Sequence, residues 1–294
     1  MYSKSVEVRD PATGSRFVSD MEFFDCATEL YEVTRDRPVL YCDDRLNTYD
    51  PPASHCGGIS SVEEAIRMLY EGWEDKVPEA RLMLDEIQNT IPKAKRSFQN
   101  SPVGFAPVVP LAIMGVPNCM ITDVRKPVRS RIIEIHYDFG APFTTSAEAL
   151  MWAGMRTIAE IIRLEKQGYR IRLYASHWQA EGSHGDAAIV KLKSEYAPLD
   201  LKRLMFPMFH PGYFRIIHFG WYDRCPTEKY LSDGGNSLYM FYQRWEDLIV
   251  EKCLGPNAIF ISARRMIDMR WNESKVDDYL KRRFERIGVK TKTP

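Results

Sequence analysis

Between Arg131 and Ser176 the chain reads strand, helix, strand, and this order constrains what the rest can build. Arg131–Tyr137 (RIIEIHY) is short, β-branched and rich in isoleucine, and Asp138, Gly140 and Pro142 break it. Thr144, Thr145 and Ser146 then offer N-cap hydroxyls, a helical pattern runs to Lys166, and Gly168 stops it with the residue suited to a left-handed cap. Leu150, Met151, Gly154, Met155, Ile158, Ile161 and Ile162 recur at spacings of three and four and make one apolar face. A glycine in mid-helix costs roughly 1 kcal/mol against alanine, so Gly154 implies close approach to the strand beneath. Arg170–Ala175 (RIRLYA) is the second strand. Two strands joined by a helix of this length form a right-handed parallel βαβ unit.

Ligands of such units bind beyond the carboxyl ends of the strands, where a helix N-terminus presents free N–H groups to an anion. The expected rim carries Asp138, Thr144, Thr145, Ser146, Ser176 and His177. Arg264 and Arg265 follow the last strand, Ala258–Ser262 (AIFIS), and add a fork geometry suited to phosphate or carboxylate. The competing structural reading is that the hydroxyls only cap the helix, Asp138 only ends the strand, and the arginines pair with Asp268 and Glu273. Glu134, His136 and Asp138 alternate along the first strand, so the three share a face. They suit acid–base or metal chemistry, or lie on a partly covered polar face.

The remaining composition narrows the function classes. Forty basic residues balance forty acidic ones, so no net field draws the chain to nucleic acid or to a membrane. Six scattered cysteines without a CxxC pair indicate reduced thiols in an intracellular compartment. No apolar run reaches the length of a membrane span, and the polar start MYSKSVEVRDPATGS has no signal-peptide core. No P-loop, GxSxG, HExxH or strand-borne GxGxxG is present, so no catalytic residue, metal ligand or cofactor is assigned.

Along the chain, residues 1–19 read as a polar arm, Met21–Val33 as a helix, and Asp43–Gly58 as a loop. Ser60–Glu64 is a capping-box helix start, with Ser60 to Glu63 or Ser61 to Glu64 in register. A second helix follows Pro78. The stretch from Lys93 to Pro110 is basic, then turn-rich, and Pro110–Pro117 is apolar but too short for a long helix. Ala187–Lys193 reads as an antiparallel strand, Pro198–Asp200 opens a helix, and Leu238–Cys253 and Ser274–Gly288 are further helices. The C-terminal helix carries Lys281, Arg282, Arg283 and Arg286 outward, as a solvated face or a nucleic-acid contact. This layout gives an N-terminal helical and proline-rich wrapping lobe at 1–127 and an α/β domain at 128–294. The domain would be a doubly wound, mostly parallel sheet with helices on both faces.

From Arg131 onward the element order resembles a von Willebrand factor A domain, which implies a metal-dependent site at the rim. That family's metal motif has Asp, then Ser two and four residues on. Asp138 matches, but Gly140 and Pro142 stand at the serine positions and have no side chain to ligate with. The whole layout also resembles a family of uncharacterised proteins encoded mainly by bacteriophages. The resemblance is carried by SVEEAIRMLYEGW, VGFAPVVPLAIMGVPNCM, RIIEIHYDFG and APLDLKRLMFPMFHPGYFRIIHFGW. It implies phage origin and the cytoplasm of an infected bacterial host, with virion association open.

Three functions compete: a non-catalytic protein-binding or assembly factor with a phage or host protein as partner, a metal- or nucleotide-dependent hydrolase using the rim, and a nucleic-acid-binding accessory protein. The missing catalytic motifs favour the first.

Overall fold

The computed structural model describes residues 1–10, 13–40, 46–47, 56–90, 98–123, 131–142, 144–181, 184–225, 236–237 and 250–289. Strands β1 (Tyr2–Arg9) and β2 (Arg16–Phe24) come first, then helices α1 (Ala27–Arg35), α2 (Val62–Glu71) and α3 (Val77–Thr90). A small unit follows: β3 (Phe98–Ser101), β4 (Ala106–Pro107), α4 (Val109–Ile113) and β5 (Met120–Asp123). The central βαβ is β6 (Ile132–Asp138), α5 (Ala147–Lys166) and β7 (Arg170–Glu181), continued by β8 (His184–Lys193) and α6 (Leu201–Phe209). A π-helical turn (Tyr213–His218) leads into α7 (Phe219–Tyr222), then come β9 (Asn236–Ser237) and a second π turn (Val250–Leu254). Strand β10 (Ala258–Ser262), α8 (Ala263–Met269) and α9 (Glu273–Arg286) complete the described chain.

The main sheet has the order β1-β2-β8-β7-β6-β10, with β9 on β7. Strands β6, β7 and β10 are parallel neighbours and β8 is antiparallel to β7, as the βαβ spacing and the glycine-bearing connection imply. Beyond them the expected von Willebrand factor A-like, doubly wound, mostly parallel sheet is overturned. Strands β1 and β2 form an antiparallel hairpin, β9 is also antiparallel, and a second sheet, β3-β5-β4, is wholly antiparallel.

Among the described residues the α-helices do not wrap both faces either. Buried side chains of α1, α2, α3, α5, α6, α7, α8 and α9 all belong to one large core with Ile133, Ile135, Tyr137, Leu173 and Ala175. A smaller core gathers Val8, Phe17, Met21, Trp178, Ala187, Ile189, Cys253 and Phe260, with no α-helical residue among the described ones.

Residues 2–9 and 16–24 are strands, where a polar arm and then the start of a helix were expected. In β1 only Val8 is buried, so the strand shows almost no apolar period. In β2, Phe17, Ser19 and Met21 alternate inward, a period-2 pattern half hidden by a serine. The helix begins later than expected, at Ala27. Ser61, not Ser60, caps α2 by accepting from the Glu64 N–H, while Glu64 Oε2 accepts from the Ser60 N–H at 3.0 Å. The expected loop at Asp43–Gly58 and helix at Leu238–Cys253 lie largely outside the described residues. No helix of the described residues is long and apolar enough to cross a membrane.

Candidate functional site

Strands β6 and β10 end level with each other, while β7 runs on past that point to Glu181. Ser262 of β10 pairs with Asp138 of β6, and Asp138 pairs with Ser176 of β7. The register therefore sets Asp138, at the end of β6, beside Ser176 and His177, which lie within β7 and not at its end as expected. Arg264 and Arg265 lie in the first turn of α8, directly after β10.

This rim has two layers. Asp138, Ser176 and His177 are buried, at 1%, 0% and 3% exposure. Asp138 Oδ1 accepts the Gly140 N–H at 3.3 Å and lies 3.7 Å from His177 Nδ1. Burial pushes the Asp138 carboxyl above its ordinary range, against the opposing pull of His177 and of backbone N–H groups. A Cβ on Gly140 would stand 2.5 Å from His177 Nδ1, so glycine is what lets the imidazole close over the turn. The structure thus gives a packing reason for the missing serine at this position.

The outer layer is exposed or half-exposed. Thr144 and Ser146 face solvent, and Thr145 is half-buried. Ser146 caps α5 by accepting the Ala149 N–H at 3.3 Å, the structural role its position implied. Arg264 donates to Asp268 Oδ2 at 3.1 Å, and the Arg265 N–H is taken by Ser262 Oγ at 3.4 Å.

Below the rim lies an aromatic shell. Phe139 contacts His218 at 4.8 Å and Tyr213 at 5.5 Å between ring centroids, and His177 meets Phe214 at 4.4 Å. Among the described residues neither ring nitrogen of His136 or His218 has a hydrogen-bond partner, nor has Ser176 Oγ or the Tyr213 hydroxyl. Burial lowers the His136 pKa to about 3 and drives His218 well below its ordinary value, so both rings are neutral at pH 7. Of the expected Glu134–His136–Asp138 face, Glu134 is engaged by Arg172 at 2.6 Å while His136 stacks on Tyr174 at 4.6 Å. Among the described residues no group of three His, Cys, Asp or Glu side chains is placed to hold a metal ion.

Open clefts lie elsewhere. One of about 560 Å³ sits between α2 and α6 and is lined by Arg67, Trp73, Glu74, Asp200 and Lys202. Another, of about 250 Å³, is lined by Lys4, Asp20, Glu22, Asp186, Trp221 and Cys225.

The feature that sequence reasoning missed is the small unit from β3 to β5. Its ends are brought side by side by pairing of Phe98 with Asp123. Gly104 seats against the Ile121 carbonyl, and the Phe105 N–H donates to that carbonyl at 3.0 Å. None of residues 98–122 is buried. Phe98, Val103, Phe105, Val109, Ile113 and Met114 are each 55–81% exposed. The signal was available in the sequence, since 98–122 contains no charged residue while apolar side chains abound.

No curated protein and no solved structure matches the chain. A family model described as "Domain of unknown function (DUF7192)" matches residues 22–286, from within β2 to the end of α9, and so takes in the sheet, the rim and the apolar unit. The chain belongs to the DUF7192 family.

Proposed function

We propose that this protein is a non-catalytic protein-binding or assembly factor that engages its partner through the apolar unit at residues 98–122. One observation carries the reading: a folded three-stranded unit with six large apolar side chains more than half exposed and no buried residue of its own. Small sheets need a covered apolar face to be stable in water, and here the cover must come from outside the unit. The closed packing of Asp138 and His177 supports the same reading, because neither side chain faces either of the two clefts. The resemblance to phage-encoded proteins supports a phage or host protein as partner, met in the cytoplasm of an infected bacterium. The rim arginines Arg264 and Arg265 offer such a partner a secondary anchor.

The test is photo-crosslinking in the producing cell, with the reactive residue placed at Phe105 or at Ile113. A control position is Tyr196, which is 73% exposed but lies outside the unit. Discrete protein adducts are expected from the first two positions and not from the third. Equal labelling at Tyr196, or no adduct from Phe105 and Ile113, sinks the proposal.

A further inference from the structure

We infer that the surface covering the apolar unit is the same unit of a second copy of this chain, joined through the open edge of β3. This rests on the protein-binding reading and names its partner.

The two edges of the small sheet differ. Among the described residues its order is β3-β5-β4, so β3 and β4 are its outer strands. Strand β4 is only Ala106–Pro107, and a proline lacks the N–H that edge pairing needs. Strand β3, Phe98–Ser101, has no proline, no charge and no bulge in its pairing with β5. Edge strands of monomeric proteins are normally guarded by such devices, and an unguarded edge is a template for another strand. Phe98, Gln99 and Asn100 are all exposed along it.

A twofold axis beside β3 would pair it with its own copy, antiparallel, and extend three strands to six. Such an interface is isologous: each patch meets an identical one and need only be complementary to itself. A stretch without charge meets that condition, because like charges are not brought together. Exposure agrees as well. Six large apolar side chains on one small unit are each 55–81% exposed, so a second copy would have apolar surface to cover toward the ~800 Å² that each partner of a standard specific interface buries. Val109 and Ile113, one helical turn apart on α4, would supply part of the covered face.

Sedimentation equilibrium on the full chain tests this, over about 1–100 µM. A dimer is expected. Asn100→Lys places a guarding charge on the β3 edge, and Ile113→Glu charges the face away from that edge. Each should weaken dimerisation at least tenfold while circular dichroism and the melting curve stay those of the parent. Two variants at separate places keep the test sound if one of them disturbs the unit. A chain that stays monomeric across the range overturns the self-pairing inference, and the crosslinking experiment then decides separately whether a different protein binds. A monomer that floats with anionic lipid vesicles also overturns it and makes a bilayer the occupant. A dimer unaffected by both variants overturns it too, since the contact would lie elsewhere.

Discussion

Phe209 of α6 fills the space that a side chain on Gly154 of α5 would need. A Cβ built on Gly154 collides with Cδ1 and Cε1 of the Phe209 ring. The mid-helix glycine thus marks a helix–helix contact, where the sequence suggested a helix–strand one. Phe209 is 1% exposed within the main core and Gly154 is buried, so the ring has little room to retreat.

Gly154→Ala is therefore expected to destabilise, although alanine is the better helix former by roughly 1 kcal/mol. Overpacking of a core costs about 1–3 kcal/mol, and that cost should exceed the helical gain. Urea unfolding of Gly154→Ala, Phe209→Leu and the double variant forms the cycle. The double variant should be more stable than the two single effects added together. Strict additivity would show that the two residues do not oppose each other.

Glu22 of β2 ties the N-terminal hairpin to the helical face. Arg37 donates to both its carboxylate oxygens, at 2.9 and 3.1 Å, and the Trp221 indole N–H donates to Oε2 at 2.8 Å. Glu22→Ala would leave the indole N–H of a 1%-exposed tryptophan and a largely covered guanidinium without this acceptor. A loss of about 2 kcal/mol is expected, given the cost of stranding buried donors. Glu22→Gln keeps one acceptor oxygen and should lose less. Equal losses for Ala and Gln, measured by chemical denaturation, would mean that the charge alone matters.

The central βαβ unit was legible because its periodicities are local: Ile133, Ile135 and Tyr137 face the large core, and α5 presents its apolar face at spacings of three and four. The register that sets Asp138 beside Ser176 follows from that unit, but the run of β7 on to Glu181, through the expected rim, does not. The depth of the rim does not either. Whether Asp138 and His177 face solvent depends on Phe214, His218 and Tyr222, which are far away in sequence. Strands β1 and β2 were missed for a related reason. Pairing of β2 with β8 joins residues near 20 to residues near 187, and no local pattern encodes it. The extension of β7 through Trp178 to Glu181, paired with β8 back to His184, was hidden by the polar residues Gln179 and Glu181.

At the rim, Gly140→Ser would restore the hydroxyl that a von Willebrand-type metal motif has at this position. The added Cβ would press on His177 Nδ1, and the imidazole is held by Phe139, Phe214 and Tyr222. The expected outcome is a protein less stable by about 1–3 kcal/mol, as for other overpacked sites. Thermal melts with and without Mg²⁺ or Mn²⁺ check this. A variant as stable as the parent, or one rescued by the metal, would show that the turn can open into a metal site.

His136 makes the fold sensitive to acid. Its ring lies against Tyr174, neither nitrogen has a partner among the described residues, and burial alone lowers its pKa to about 3. In the unfolded chain the imidazole titrates near 6.5. Between those values the unfolded state binds a proton that the folded state refuses, so stability is full above about pH 6.5 and falls as the pH drops toward 3. The slope from one such group is about 1.4 kcal/mol per pH unit, or about 2 kcal/mol by pH 5. His210, lowered to about 4, and His218 act in the same direction, while the raised Asp138 carboxyl acts in the opposite one. Comparing the parent with His136→Leu cancels those shared contributions. Leucine fills a similar volume without a titrating group, and the stranded nitrogens disappear with the imidazole. Urea unfolding at pH 7.5 and pH 5 should show the variant gaining about 2 kcal/mol on the parent over that interval. A difference that does not change with pH would mean that the folded protein already accommodates the protonated imidazole.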